Sequence, residues 1–207
     1  MKKYFITGTD TNVGKTLVSS ILTLALQGHY WKPIGSGLSD LQKVKELTQL
    51  PAKHFSDSSY AFKTPLSPDQ AAKIENVTID LSQCKMPITN EKDLIIEGAG
   101  GVFVPLNDEH FILDLMKQFN VPIVIVARGT VGTINHTLLT IEALRQQNLV
   151  IQGIIFSGEL NVDSQHTIEK RAKVKTLFHV PHFGEISTET IKAWVHKHAS
   201  SILESLA

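Results

Sequence analysis

Short apolar runs alternate with stretches of helical periodicity along most of the chain. Tyr4–Phe5–Ile6 reads as a short buried strand, Gly8–Thr16 as a loop, and Leu17, Ile21, Leu24 and Leu26 then recur at helical spacing until Gly28. Tyr30–Ile34 is a second strand with Pro33 near its end, and Ser39–Leu50 patterns as a helix with Ser39 and Asp40 supplying cap chemistry. From Pro51 to Asn90 the pattern is least regular, broken by Pro51, Pro65, Pro68 and Pro87, with one helix near Gln70–Ile74.

Regularity returns with a strand at Asp93–Glu97, which runs into the loop Gly98–Ala99–Gly100–Gly101. A helix over His110–Phe119 follows, then the nearly all-apolar strand Val121–Ala127, the pattern of a central parallel strand covered on both faces. Helices at Gly132–Gln147, Asp163–Lys175 and Thr188–Leu206 alternate with strands at Val150–Phe156 and one closing at Val180–Pro181. This alternation predicts an α/β fold with a doubly wound, mostly parallel sheet. Without repeat, low-complexity tract or linker, residues 1–207 read as one domain.

Composition narrows the classes. A chain of 207 residues, 42% hydrophobic and 19% charged, fits one ordinary globular domain. Twenty basic and twenty acidic residues cancel, so neither nucleic acid nor an acidic membrane is an expected partner, and phosphate chemistry must come from local placement of charge. A single cysteine, Cys84, rules out an internal disulfide and suits a cytoplasmic protein. The apolar run after Met1–Lys2–Lys3 is too short for a signal peptide, and no run approaches a membrane span.

Gly8–Thr16 sits between strand and helix, where backbone N–H groups and the helix dipole can surround phosphate oxygens. Lys15 adds a full positive charge there, and the Thr16 hydroxyl can ligate magnesium. Five residues, against four in the common motif, separate Gly8 from Gly14–Lys15–Thr16. The bland alternative is a tight turn carrying a surface lysine.

Ligands bind at the carboxyl edge of open α/β sheets, which directs attention to acids at strand ends. Glu97 ends an apolar strand, where a carboxylate needs a partner. Asp40 follows Gly35–Ser36–Gly37 and suits either a metal or the cap of the next helix. Lys32 reads as an edge-strand lysine, or as a second cation reaching the same edge as Lys15.

Taken in order, GTDTNVGKT at Gly8–Thr16, KPIGSG at Lys32–Gly37, Pro65–Leu66–Ser67–Pro68, EGAGG at Glu97–Gly101 and Gly132–Thr133–Ile134–Asn135–His136 resemble the dethiobiotin synthetase family. The resemblance implies a P-loop fold and an ATP- and magnesium-dependent ligase of biotin biosynthesis. Such an enzyme converts 7,8-diaminononanoate and carbon dioxide to a cyclic urea through a carbamate and a carbamic-phosphoric anhydride. It implies catalytic roles for Lys15 and Lys32, and a magnesium site at Thr16, Asp40 and Glu97. Around the nucleotide it implies Asn12, Val13, Gly14, Lys15, Thr16 and Leu17, then Glu97 and Gly98, with Ser157, Gly184 and Glu185 toward the base. Around the diamine it implies Thr11, Lys32, Ser36 and Gly100. Gly132 and Asn135 would receive the substrate carboxylate across a homodimer with shared sites, at a helix amino terminus suited to an anion.

Three positions depart from the family pattern. Asn12 stands where Glu is common, Ser157 where many members carry an Asn against adenine, and Thr78–Lys92 is short for a helix and broken by Pro87.

Among rival readings, a partner-binding switch ATPase of the partitioning or division-site type usually carries a second lysine early in its phosphate loop, where this chain has Thr9–Asp10–Thr11. An amide synthase of the cobyrinate type would need a further domain. The stripe Ile191, Trp194, Val195, His198, Ile202, Leu206 is read as packing on the sheet, since its polar face carries Lys192 and Lys197 opposed by Glu189 and Glu204. The nine histidines show no zinc-like set and read as packed or solvated.

Overall fold

The computed structural model describes residues 1–37, 39–89 and 91–207. Seven strands form a parallel sheet: β1 (Lys3–Gly8), β2 (His29–Trp31), β4 (Phe55–Ser56), β6 (Leu94–Glu97), β7 (Ile123–Arg128), β8 (Ile151–Ser157) and β9 (Thr176–Val180). Their spatial order is β4-β2-β6-β1-β7-β8-β9. The chain builds outward on one side of β1 and then crosses to the other, so the crevice at the carboxyl end of β1 is the switch point where ligands collect in such sheets.

Alternation along the strands sorts side chains to two faces. Tyr4 and Ile6 join Tyr30, Ile95, Val124 and Val126 under α1 (Lys15–Ala25), α2 (Asp40–Thr48) and α7 (Thr188–Ser205). Phe5 faces the other way, with Leu94, Ile96, Ile123 and Ile125, toward α4 (Ile112–Phe119), α5 (Thr133–Gln146) and α6 (Val162–Ala172). Burial on both faces explains why Ile123–Ala127 contains no polar residue. The apolar side of α7 joins the first of these layers, with Ile191, Val195 and Ile202 buried. No helix among the described residues is long and apolar enough to cross a membrane.

One predicted strand divides. Instead of a single strand Tyr30–Ile34, β2 ends at Trp31 and β3 (Ile34–Ser36) begins a second, two-stranded sheet with β5 (Tyr60–Phe62). Pro33 has no N–H to continue a ladder, while its carbonyl accepts from Tyr60 N–H at 3.0 Å. The irregular stretch also holds β4 and β5, which the pattern did not reveal, and α3 (Pro68–Ile74), which begins two residues before the predicted helix. Asn90, at its end, lies outside the described residues. Ser39 alone caps α2, accepting from Gln42 N–H, which leaves the Asp40 carboxylate for other contacts.

The two ends of the chain meet at the edge of the sheet opposite the carboxyl ends. Lys2 Nζ, Tyr4 Oη and Gln152 Nε2 all donate to the Leu206 carbonyl, at 3.0, 3.2 and 3.2 Å.

Candidate active site

The loop after β1 is held by its neighbours. Gly8 N–H donates to Gly100 O, and Thr9 N–H to Val126 O. A Cβ on Gly8 would stand 2.6 Å from Asp10 O and 3.0 Å from Lys15 Nζ, so a side chain there would displace the lysine. Asn12 adopts φ 59, a left-handed conformation that Asn accepts more readily than most residues. Gly14 is also left-handed, at φ 99, and begins α1 without a side-chain cap. The first N–H groups of that helix are therefore available to an anion.

Four charged side chains and two hydroxyls meet beside this helix start. The β2–β6 register pairs Tyr30 with Ile95 and Trp31 with Ile96, so one further step sets Lys32 next to Glu97. Lys32 Nζ reaches Asp40 Oδ2 at 2.6 Å and Glu97 Oε1 at 3.1 Å. Thr16 Oγ1 lies 2.8 Å from Asp40 Oδ1 and 3.0 Å from Glu97 Oε1. Glu97 is fully buried, and its Oε2 accepts from Tyr30 Oη at 3.0 Å. Lys15 is buried, with its ammonium donating to Asp10 O at 3.0 Å.

The two lysines shift in opposite directions. Burial, followed by repulsion from Lys32, lowers Lys15 to about 8 against the pull of Glu97, Asp40 and Asp10. Burial also works against the charge on Lys32, but the adjacent Glu97 and Asp40 outweigh it and the net shift is upward. Lys32 is thus committed to the acids, whereas Lys15 is a cation short of a partner that a phosphate would supply.

These groups face a cavity of about 700 Å³. Of the residues expected from sequence, Thr11, Asn12, Gly14, Lys15, Thr16, Leu17, Lys32, Ser36, Asp40, Glu97 and Gly100 line it. Gly98 lies just behind, its carbonyl accepting from Lys32 Nζ at 3.3 Å, and Val13 is buried in the core. Ser157 is not in the lining but packs on the phosphate loop: a Cβ on Gly14 would come within 2.5 Å of Ser157 Oγ. The cavity does not include Gly184, Glu185, Gly132 or Asn135. Gly132 is left-handed and starts α5 without a side-chain cap, beside the fully exposed Val131 and the exposed Asn135.

Three further groups adjoin the site, and of these only Pro65–Pro68 stands in a motif read from the sequence. Pro65–Pro68 forms a wall, tied to β3 by Ser36 Oγ donating to Leu66 O at 2.7 Å. Arg128, at the end of β7, pairs with Asp10 Oδ2 at 2.7 Å. Tyr30 could have been found from its spacing, since it lies two residues before Lys32 and so shares its face.

Among the described residues no group of three His, Cys, Asp or Glu could hold a metal. A cation at Asp40 and Glu97 therefore needs the Thr16 hydroxyl and oxygens from a ligand. An all-oxygen set completed by phosphate and water suits magnesium, and the Lys32 ammonium between the two carboxylates shows that the place accepts positive charge.

Known proteins resemble this chain along most of its length. A family described as an AAA domain matches residues 2–190. An ATP-dependent dethiobiotin synthetase BioD from Cytophaga hutchinsonii is 45% identical over 199 residues, covering 95% of this chain and 97% of the relative. The biotin biosynthesis bifunctional protein BioCD of Bordetella avium is 41% identical over 92% of this chain, which spans 42% of that protein. Among solved structures, the MinC:MinD cell division complex of Aquifex aeolicus includes a chain similar at TM-score 0.57 and 14% identity, covering all of this chain and 94% of that one, a likeness of fold alone.

Proposed function

The chain belongs to the dethiobiotin synthetase family, and from that premise we propose how its residues carry out the reaction of that family. The protein is an ATP-dependent cyclo-ligase that forms the cyclic urea of dethiobiotin from 7,8-diaminononanoate, carbon dioxide and ATP. The observation that carries the assignment of residues is the convergence of Lys15, Lys32, Thr16, Asp40 and Glu97 on one cavity beside the open start of α1.

One amine adds to carbon dioxide and loses a proton to give a carbamate. A carbamate oxygen attacks the γ-phosphorus and ADP leaves. The second amine then attacks the carbamate carbon, expels phosphate and closes the ring. No protein nucleophile is needed, so positioning and charge do the work. The N–H groups from Gly14 to Leu17 bind phosphate oxygens, and Lys15 places positive charge on the transferred group. Lys32 faces the carbamate, and Thr11, Ser36 and Gly100 bound the space for the diamine. Thr16, Asp40 and Glu97 would hold magnesium, which when bound supplies further positive charge to the phosphates.

The active unit in this reading is a cytoplasmic homodimer whose single domain, residues 1–207, shares each site with its partner. Its support is that Gly132 and Asn135 lie outside the cavity on an exposed helix start, available to a substrate carboxylate bound in a second copy. Ser157, Gly184 and Glu185 are assigned to the base side of the nucleotide. The test is ADP release by purified protein: it should require both diaminononanoate and bicarbonate. ATP hydrolysis stimulated instead by lipid or DNA, and indifferent to the diamine, would overturn the reading in favour of a switch ATPase.

A further inference from the structure

The assignments above leave one buried group at the site without a role. Tyr30 and Glu97 are each 0% exposed, and the tyrosine hydroxyl donates to Glu97 Oε2 at 3.0 Å. The other carboxylate oxygen, Oε1, takes the contacts from Thr16 and Lys32. The division follows from the sheet. Tyr30 pairs with Ile95, so Tyr30 and Glu97 emerge on the same face as diagonal neighbours on adjacent strands, and the long phenol spans the gap.

The choice of a phenol has a chemical consequence. A buried carboxylate oxygen away from water needs a donor. A lysine or arginine at position 30 would supply one, but would also neutralise the charge that an incoming cation requires. A tyrosine hydroxyl donates without carrying charge, and its rigid ring fixes where the donor sits. Lys32 can leave Oε1 while Tyr30 still holds Oε2.

We propose that Tyr30 is a positioning residue whose hydroxyl pins Glu97 Oε2 to the sheet, so that Oε1 alone faces the cavity and its divalent cation. This rests on the reading of Glu97 as a magnesium ligand, and the experiment separates the two. Binding of Mn²⁺ to the full chain in the presence of ADP, without diamine so that nothing turns over, is followed by the electron paramagnetic resonance of free Mn²⁺. Tyr30→Phe keeps the ring and removes the donor, and the dissociation constant for Mn²⁺ should rise about tenfold, as for loss of one hydrogen bond to a charged group. Binding of ADP without metal should be unchanged.

Tyr30→Phe made on Glu97→Gln should add little further loss, because the oxygen it positions no longer bears charge. That double variant separates a loss acting through the Glu97 carboxylate from a general loss of fold. Native Mn²⁺ affinity in Tyr30→Phe would overturn the inference, as would equal losses of ADP binding with and without metal, or a full additional loss on the Glu97→Gln background. If Glu97→Gln itself binds Mn²⁺ like the parent, the cation assignment falls and the role of Tyr30 falls with it.

Discussion

The Lys32 ammonium stands 2.6 Å from Asp40 Oδ2, closer than it comes to any other acid at the site. It lies between two carboxylates that would otherwise repel each other. Lys32 and a divalent cation therefore compete for the same oxygens before the diamine arrives. Lys32→Met should bind Mn²⁺ more tightly than the parent while losing at least about a hundredfold in turnover. Its thermal midpoint should fall in chelator and recover with magnesium. A midpoint indifferent to magnesium would show that the two cations do not share a place.

Lys15→Ala should abolish turnover, by more than about a hundredfold, while leaving the fold intact. Burial and Lys32 lower Lys15 to about 8, so holding its charge works against the folded state near neutral pH. The variant should melt at or above the parent temperature. Turnover close to the parent's would remove Lys15 from the mechanism.

If sites are shared across a dimer, chains inactivated at Lys15 and at Asn135 should complement each other. A hybrid of Lys15→Ala with Asn135→Ala contains one site intact in both respects, so each hybrid should have about half of the native specific activity. Hybrids verified by mass spectrometry but inactive would indicate self-contained sites.

Nucleotide choice should depend on Ser157. Its hydroxyl packs at the Gly14 turn, and it cannot make the two-point contact with adenine that an Asn amide makes. The parent should accept CTP or GTP more readily than an Asn-bearing relative. Ser157→Asn should sharpen the preference for ATP by about tenfold in kcat/KM, the lower end of the discrimination typical of a bidentate base contact. Strong ATP selectivity unaffected by the substitution would redirect attention to the backbone of Gly184 and Glu185.

His29 should make stability fall in mild acid. Its ring is buried with Nε2 on Ser56 Oγ at 2.8 Å and, among the described residues, no hydrogen-bond partner for Nδ1. Burial first, and then the nearby His54 and Lys92, push it below its ordinary value of 6.5, with only the backbone near Lys53 pulling the other way. The unfolded chain therefore takes up the proton first, and stability drops as pH falls from about 6.5 toward the lowered folded value, by at most about 1.4 kcal/mol per pH unit for this group. Urea unfolding at pH 7.5 and 5.5 should show a smaller difference for His29→Gln than for the parent. An equal difference would place the acid sensitivity elsewhere.

Much of the site was legible because its residues lie at the ends of strongly patterned strands. Lys15 and Thr16 follow from a strand–loop–helix pattern, and Glu97 from its place after Leu94–Ile96. Whether Asp40 caps α2 or serves the site could not be read from residue type, and Ser39 resolves it by making the cap bond itself. The split at Pro33 was hidden because β3 and β5 are three residues each, too short for any period to show. Tyr30 reads as an ordinary apolar strand residue until the register with Ile95 is known. Gly132 and Asn135 are a different case: on one chain they touch none of the site, so no reading of local pattern could attach them to it.

Because the Leu206 carbonyl collects donors from Lys2, Tyr4 and Gln152, both ends of the chain are tethered side by side at the far edge of the sheet from the phosphate loop. A group attached near that edge would be separated from the phosphate loop by the length of the strands.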